Sequence, residues 1–331
     1  MSYPLHPNTA PLRSHFPMLH TRHDLLSYIE NSQSLSSIFH TWTHSQQTEF
    51  LDFCTGVRGV KLLYDSFFKE IINPESTPER LEEFLSLLLE TEVKILSVLP
   101  NDTTRIADEH CLLVTDIIVE LSNHSIVNLE IQKIGYYFPG QRSACYSSDM
   151  LLRQYKRVRS QRQKNFRYQD INAVYTIVLF EHSPAEFHTF SDAYLHYFSQ
   201  RSNTGLEIEL LQKYLFIPLD IFRKIQYNTG IRNKLEAWLA FLCIDDPQVI
   251  LRLLVDYPEF KPLYEQVYSL CQNVERVMEM FSNELKELDR NTVQFMIDDM
   301  QDIINKQKIQ LAEKEQEIAV LKAALAHAIE E

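Results

Sequence analysis

The chain has 331 residues, 45% of them apolar and 23% charged, with 6 glycines and 13 prolines. That is ordinary globular usage, and it excludes a largely disordered, collagen-like or linker-rich chain. Asp and Glu (45) outnumber Lys and Arg (32), leaving a formal charge of −13. Such a chain does not coat nucleic acid indiscriminately, so any nucleic-acid site must be a local basic patch.

The length predicts one sizeable core with accessory segments, or two domains. Cys54, Cys111, Cys145, Cys243 and Cys271 are far apart and form no CxxC pair. Reduced, mostly buried thiols in a cytoplasmic protein are expected, without a disulfide framework or zinc site. No basic-then-apolar leader pattern opens the sequence and no run of about 18 apolar residues occurs, so neither a signal peptide nor a membrane partner is expected. The 12 histidines are scattered and make no HExxH motif.

In chain order, residues 1–20 are rich in Pro, His and Ser and read as an irregular arm. Short helical patterns over 22–54 complete an N-terminal helical extension. From Val60 to Ile72, apolar residues recur at helical spacing. A second helix follows Thr77 as N-cap and Pro78 at the first position, with Leu81, Phe84, Leu85, Leu88 and Leu89 as its stripe.

The pattern then turns extended. Strands are expected over Val93–Leu99, Leu112–Leu121 and Ile126–Ile134, with a turn at 122–125. A helix over Arg142–Val158 precedes a nearly wholly apolar strand, Ile171–Phe180, of the kind found in the middle of a sheet. Ala193–Gln200 and Lys213–Phe222 read as further strands, although the second also fits a helix. Beyond Ile231 every pattern is helical: 231–243, 247–256, 261–288 and 291–328. Ile297, Ile304, Leu311, Ile318 and Leu325 recur every seven residues, while the companion column (Met300, Gln307, Lys314, Leu321, Ala328) is poorer. A dimerising coiled coil and a helix packed on its own domain both fit that tail.

The chemistry concentrates in the second and third strands. Asp116 lies inside the apolar run 112–121, where a polar group without a partner costs roughly 2–7 kcal/mol. On the next strand Asn128, Glu130 and Gln132 share one face, and Val127, Leu129 and Ile131 the other. An Asp on one strand and Glu-x-Gln on its neighbour supply hard oxygens for a divalent cation such as Mg²⁺. The competing reading is a solvent-washed sheet face with ordinary polar residues. Register separates the two. A two- or four-residue loop centred in the turn sets Asp116 beside Ile131, on the wrong face. A three-residue loop at 122–124 sets it opposite Glu130, so an odd-length loop within 121–126, or a bulge, is expected.

Residues 140–170 hold eight Lys or Arg against two acids, interleaved with Tyr146, Tyr155, Phe166 and Tyr168. Helical spacing puts Arg142, Tyr146, Arg153 and Arg157 on one face, and turns Cys145, Ser148, Leu152 and Tyr155 toward the core. The bland alternative is a solvated basic helix end.

Taken together, Arg58–Lys69 with its Asp65-x-x-Phe-Lys element, Thr115-Asp116-Ile117, Asn128-Leu-Glu130-Ile-Gln132, and 138–155 with Arg142, Tyr146 and Gln154 resemble the PD-(D/E)XK nuclease family transposases, the Rpn-type recombination-promoting nucleases. The resemblance covers roughly residues 50–225. It implies an α/β, restriction-endonuclease-like core (helix, three strands, helix, strand). An N-terminal helical extension and a C-terminal helical region ending in a long amphipathic helix flank it. The corresponding division is 1–54, 55–225, 226–290 and 291–331.

The resemblance further implies a Mg²⁺-dependent DNA endonuclease, with Mn²⁺ as a substitute cation, acting in recombination or transposition. It implies Asp116 and Glu130 as metal ligands. Gln132 stands where the superfamily usually has Lys, and an amide can hydrogen-bond but carries no charge. Thr115 replaces the usual Pro. Asp65 is the candidate upstream acid, with Glu83 and Glu90 as alternatives; Arg142, Arg153, Lys156 and Arg157 are the expected DNA contacts. DNA and a second copy, joined through the last helix, are the expected partners. A catalytically decayed, self-associating DNA-binding or interaction protein is the competing function, and a helical scaffold without nucleic acid a third.

Overall fold

The computed structural model describes residues 10–99, 117–133, 139–286 and 288, together with 300, 304, 307, 308, 310, 311, 314 and 318. Two compact units divide the chain, 1–282 and 283–331. Asp116 lies outside the described residues, as do Cys111 and both ends of the seven-residue column, Ile297 and Leu325.

The N-terminal arm is less irregular than its composition suggests. A 3-10 turn at Pro11–Ser14 buries Leu12, and Phe16 and Leu19 are buried after it. Three helices follow: α1 (Arg22–Asn31), α2 (Gln33–Thr41) and α3 (His44–Thr55). A reciprocal cap opens α3, with the Thr43 hydroxyl accepting from the Gln46 amide and the Gln46 side chain accepting from the Thr43 amide. Gly56 ends it at φ +76, where an added Cβ would stand 2.7 Å from Leu19 Cδ1. Glycine therefore lets the arm lie against the end of the helix.

The helix expected over 60–72 is shorter, α4 (Asp65–Ile71). Next comes α5 (Pro78–Leu89), which buries Leu81, Phe84, Leu85 and Leu88. Thr77 takes the N-cap position, but its hydroxyl donates to Asn73 O (3.2 Å) rather than capping.

A six-stranded mixed sheet forms the centre of this α/β unit. Its strands are β1 (Ile95–Val98), β2 (Ile117–Leu121), β3 (Ile126–Gln132), β4 (Val174–Phe180), β5 (His196–Phe198) and β6 (Gln212–Pro218), in the order β1-β2-β3-β4-β6-β5. The β3–β4 and β4–β6 pairs are parallel and the others antiparallel. Helix α6 (Pro139–Arg162) is the crossover from β3 to β4. The ambiguous segment 213–222 is both elements in turn: β6, then α7 (Leu219–Thr229).

The β2–β3 loop has the expected odd length. Leu121 N donates to Ser125 O (2.9 Å) and His124 N to Leu121 O (2.8 Å), enclosing 122–124. His124, at φ +63, supplies the left-handed residue that such a loop needs. Ile117 then pairs with Leu129 and Ile118 with Asn128.

Helices α8 (Lys234–Cys243), α9 (Pro247–Asp256) and α10 (Lys261–Gln272) follow. The single helix expected over 261–288 is broken at Asn273, and 274–282 is again helical. An aromatic cluster of Trp42, Phe50, Phe53 and Phe281 joins the N-terminal helices to this last segment. In the second unit every described position is helical, and Met300, Ile304, Leu311 and Ile318 are exposed.

One buried charge fastens α8. Glu236, with a side chain 2% exposed, accepts from Arg232 Nε (2.9 Å), the Arg232 backbone N–H (2.7 Å) and the Tyr194 hydroxyl (2.7 Å). Burial pushes its carboxyl up, but the Arg232 and Tyr194 hydrogen bonds win and hold it below the ordinary value. Its stabilising contribution is therefore present above the unfolded-state pKa and lost as pH falls through the lowered folded-state value. Glu236→Ala should cost about 2 kcal/mol at neutral pH, given that Arg232 is half-exposed. Urea unfolding should show that deficit shrinking on acidification.

Candidate active site

Strand β3 is buried on both faces. Val127 and Leu129 fill one side, and Asn128 (0% exposed), Glu130 (2%) and Gln132 (7%) lie on the other. The polar face is thus no solvent-washed surface. Leaving a carboxylate there costs several kcal/mol unless partners compensate.

Those partners come from within the strand and from α6. Gln132 Nε2 donates to Glu130 Oε1 at 2.8 Å. Arg142 Nη2 lies 3.4 Å from the same oxygen, and Arg142 Nε donates to the Tyr146 hydroxyl at 2.8 Å. The guanidinium sits 5.4 Å from the centre of the Tyr146 ring. Tyr146 is buried, whereas the Arg142 side chain is 38% exposed, so the cation links the buried acid to solvent. Burial raises the Glu130 carboxyl above its ordinary value; Arg142 and then Gln132 pull it back without cancelling the rise.

The amide orientation that gives Gln132 a donor to Glu130 leaves its own oxygen pointing elsewhere. Gln132 Oε1 is buried with no hydrogen-bond partner among the described residues. The same holds for both polar atoms of Asn128 and for the hydroxyl of Thr176, its register partner on β4. Buried polar atoms normally find partners, so these mark a place built to meet solvent, a ligand or an ion. Glu130 and Gln132 together offer oxygens of the type that Mg²⁺ prefers. Among the described residues no group of three His, Cys, Asp or Glu side chains could hold a metal.

Helix α6 turns differently from the sequence expectation. Its buried side carries Ser143, Tyr146, Ser147, Met150 and Gln154. Cys145, Ser148 and Leu152 are exposed instead of facing the core. The reason is the sheet face beneath. Over Ile118, Ile126 and Val174 the helix offers Met150, but elsewhere it offers polar groups. Gln212 Nε2 donates to Ser147 Oγ (3.2 Å), and Gln154 Oε1 accepts from the Asn172 amide (2.7 Å).

The expected DNA contacts fall into distinct surroundings. Arg142 belongs to the site. Arg153 is paired with Asp149 at 2.7 Å and Arg157 with Glu120 at 3.0 Å. Lys156 is exposed and has no carboxylate partner among the described residues. Asp65 begins α4 and pairs with Lys69 at 2.9 Å. Its neighbour Tyr64 has Lys133, the residue following β3, over its ring at 5.4 Å, which brings the start of α4 beside that end of the strand. Of the alternatives, Glu83 is ion-paired to Lys234 on α8, and Glu90 is exposed beyond the end of α5. The Asn128–Thr176 register pair and the Glu120–Arg157 ion pair were not anticipated. Alternation placed Asn128 on the polar face, but nothing in the sequence names its partner on β4.

Glu130 and Gln132 on a central strand and Arg142 on the helix that covers it thus form one connected polar cluster. Residues 62–296, more than half of the chain, match the family described as PD-(D/E)XK nuclease family transposase, and the chain belongs to that family. No curated protein and no solved structure matches it. Among the described residues no helix is long and apolar enough to cross a membrane.

The raised Glu130 carboxyl has a stability consequence. Folding favours its protonated form, so the stability it contributes is full at low pH and is lost as pH rises through the folded-state value. Glu130→Gln removes that loss. At pH about 8, well above the ordinary carboxylate range, the variant should melt no lower than the wild type, and near pH 4 the two should converge. Differential scanning fluorimetry at both pH values tests this. A deficit above ~1 kcal/mol at the higher pH would show that the Arg142 pairing outweighs burial.

Proposed function

We propose that the chain is a divalent-cation-dependent DNA endonuclease acting in recombination or transposition. Family membership gives nuclease or transposase-related function in general terms. The observation that supports the finer reading is Glu130, a desolvated carboxylate kept on the polar face of β3 beside an unpartnered Gln132 oxygen. In this reading Glu130 and Asp116 hold Mg²⁺, or Mn²⁺ in its place. Asp116 enters this reading from the sequence pattern, as the acid one position before β2. Bound there, the cation would polarise the phosphodiester and lower the pKa of an attacking water.

The protein groups have separate tasks. Gln132 Oε1 accepts a hydrogen bond from the attacking water and orients it. The positive charge that Lys would supply at position 132 comes from Arg142, which Tyr146 holds at the mouth of the site. Arg142 moves from Glu130 to a phosphate oxygen when DNA and cation enter. Asp65 completes the acidic set from the start of α4. Lys156 contacts the backbone directly, while Arg153 and Arg157 first exchange their carboxylate partners. The exposed column of Ile304, Leu311 and Ile318 pairs with a second copy of the chain. The division at 54, 225 and 290 and the cytoplasmic location belong to the same proposal.

The Arg142–Glu130 ion pair also favours a second reading, in which the core binds DNA without cutting it. Plasmid incubated with purified protein and Mg²⁺ or Mn²⁺ separates the two. The endonuclease reading expects nicked or linear product, and a rate at least about a hundredfold lower for Asp116→Ala and for Glu130→Gln. Cutting by either variant at the wild-type rate sinks the site assignment. Salt-sensitive binding with no cleavage under any divalent ion establishes the second reading.

A further inference from the structure

The C-terminal end of α6 carries a cluster that the site does not use. Tyr155, on the helix, stacks on Tyr168 with ring centres 6.2 Å apart and planes 11° from parallel. Phe166 meets both edge-on, at 5.5 Å and 5.4 Å. The Arg159 guanidinium lies 5.6 Å from the Tyr155 ring centre. Tyr168 is 77% exposed, so one broad face of its ring is open to solvent. Around it the side chains of Lys156, Arg159, Lys164 and Arg167 are exposed and make no ion pair with a carboxylate among the described residues. Asp170 pairs with Arg162 at 3.0 Å and accepts from the Arg167 backbone N–H at 2.8 Å.

A structural cap on the helix end accounts for Phe166, which is half-buried, but not for Tyr168. A ring that open contributes little by burial. Arg159 donates to the Tyr155 hydroxyl and lies over its ring, but no ion pair offsets the mutual repulsion of the four side-chain cations unless an anion joins them. In a chain of charge −13, four such cations around an open aromatic face form a local positive island. We propose that this island is a second nucleic-acid contact that stacks an unpaired base on Tyr168 while Arg159, Lys164 and Arg167 take the flanking phosphates.

The base must be unpaired because bases in a duplex already cover each other's faces. An open aromatic ring offers stacking only to a single strand, a frayed end or a flipped nucleotide, and such stacking contributes about 1–3 kcal/mol per base. Position along α6 fits a strand that also reaches the active site. Arg142 and Arg159 stand on one continuous helix, about 25 Å apart at ~1.5 Å per residue. That distance matches about seven nucleotide steps at ~3.4 Å each. Between them Cys145, Ser148, Leu152 and Lys156 are exposed, and the one acid on that side of the helix, Asp149, is mostly covered and paired with Arg153 at 2.7 Å. The inference rests on the reading that DNA is the substrate, and it adds which form of DNA is held away from the cutting site.

Fluorescence anisotropy in EDTA, where no cation supports cleavage, tests the proposal on the full chain. The probes are one labelled oligonucleotide as a single strand, as a blunt duplex and as a duplex with a single-stranded overhang. Tyr168→Ala should weaken single-strand and overhang binding roughly tenfold and leave the blunt duplex unchanged. Tyr168→Trp should restore it. Arg159→Ala should lower the salt slope of single-strand binding by about one. Equal single-strand affinity for Tyr168→Ala and wild type overturns the stacking site. An equal loss on single strand and blunt duplex also overturns it, since a phosphate patch alone behaves that way. In both cases the endonuclease reading stands or falls separately, by the plasmid assay. If wild-type protein binds none of the probes at low salt, both the second contact and the DNA reading fail together.

Discussion

The arrangement around the site follows from one constraint: β3 carries a carboxylate where a central strand would ordinarily carry an apolar residue. Leu129 and Glu130 are adjacent, and both are almost wholly buried. Alternation sends them to opposite faces, so one face of the sheet is a conventional core and the other must be covered, around Asn128 and Glu130, by polar side chains. Helix α6 answers that need with Tyr146, Ser143, Ser147 and Gln154 in place of a leucine stripe. Arg142 then reaches Glu130 from the edge of the covered region, where it keeps contact with water. A fully enclosed Arg–Glu pair would pay desolvation on both charges, and this one pays mainly on the acid. What remains is a buried carboxylate whose charged partner is a half-solvated guanidinium.

That constraint also explains which parts of the molecule the sequence revealed. The strands around the site were legible because their logic is local. Residues 126–132 alternate, and the requirement that Asp116 share a face with Glu130 called for an odd loop, or a bulge, between β2 and β3; a three-residue loop at 122–124 is present. Helix α5 was legible from Pro78 and a regular apolar stripe. The face of α6 was not legible, because the stripe rule assumes that a helix buries its apolar side. Here the surface to be covered is polar, so Leu152 turns outward and Gln154 turns in. The anchoring of the arm at 10–20 was hidden for a related reason. Its Pro, Ser and His content signals irregular backbone, yet Leu12, Phe16 and Leu19 are enough to anchor it.

The candidate site was legible residue by residue, but not as a set of contacts. Glu130 and Gln132 stand out because their types are wrong for a buried strand. Their partners come from elements distant in sequence, and a Tyr or Arg on a basic helix gives no sign of which acid it will meet. Arg153 and Arg157 illustrate the loss. Both looked like DNA contacts by charge, and both are paired within the fold, to Asp149 and to Glu120 on β2. Counting Lys and Arg along a helix therefore overstates the charge offered to a partner.

Charge on α6 is consequently sorted by direction. Toward the sheet, arginines meet carboxylates and fasten the helix, with Glu120 binding Arg157 near the β2–β3 turn and Glu130 binding Arg142 at the other end. Away from the sheet, Lys156 and Arg159 make no ion pair among the described residues, while Arg162 is paired with Asp170. A local positive island on an acidic body attracts an anionic polymer there and repels it elsewhere. The polar face of β3 sets where that island faces: it requires α6 to turn its polar side inward, and that rotation leaves Lys156 and Arg159 facing solvent.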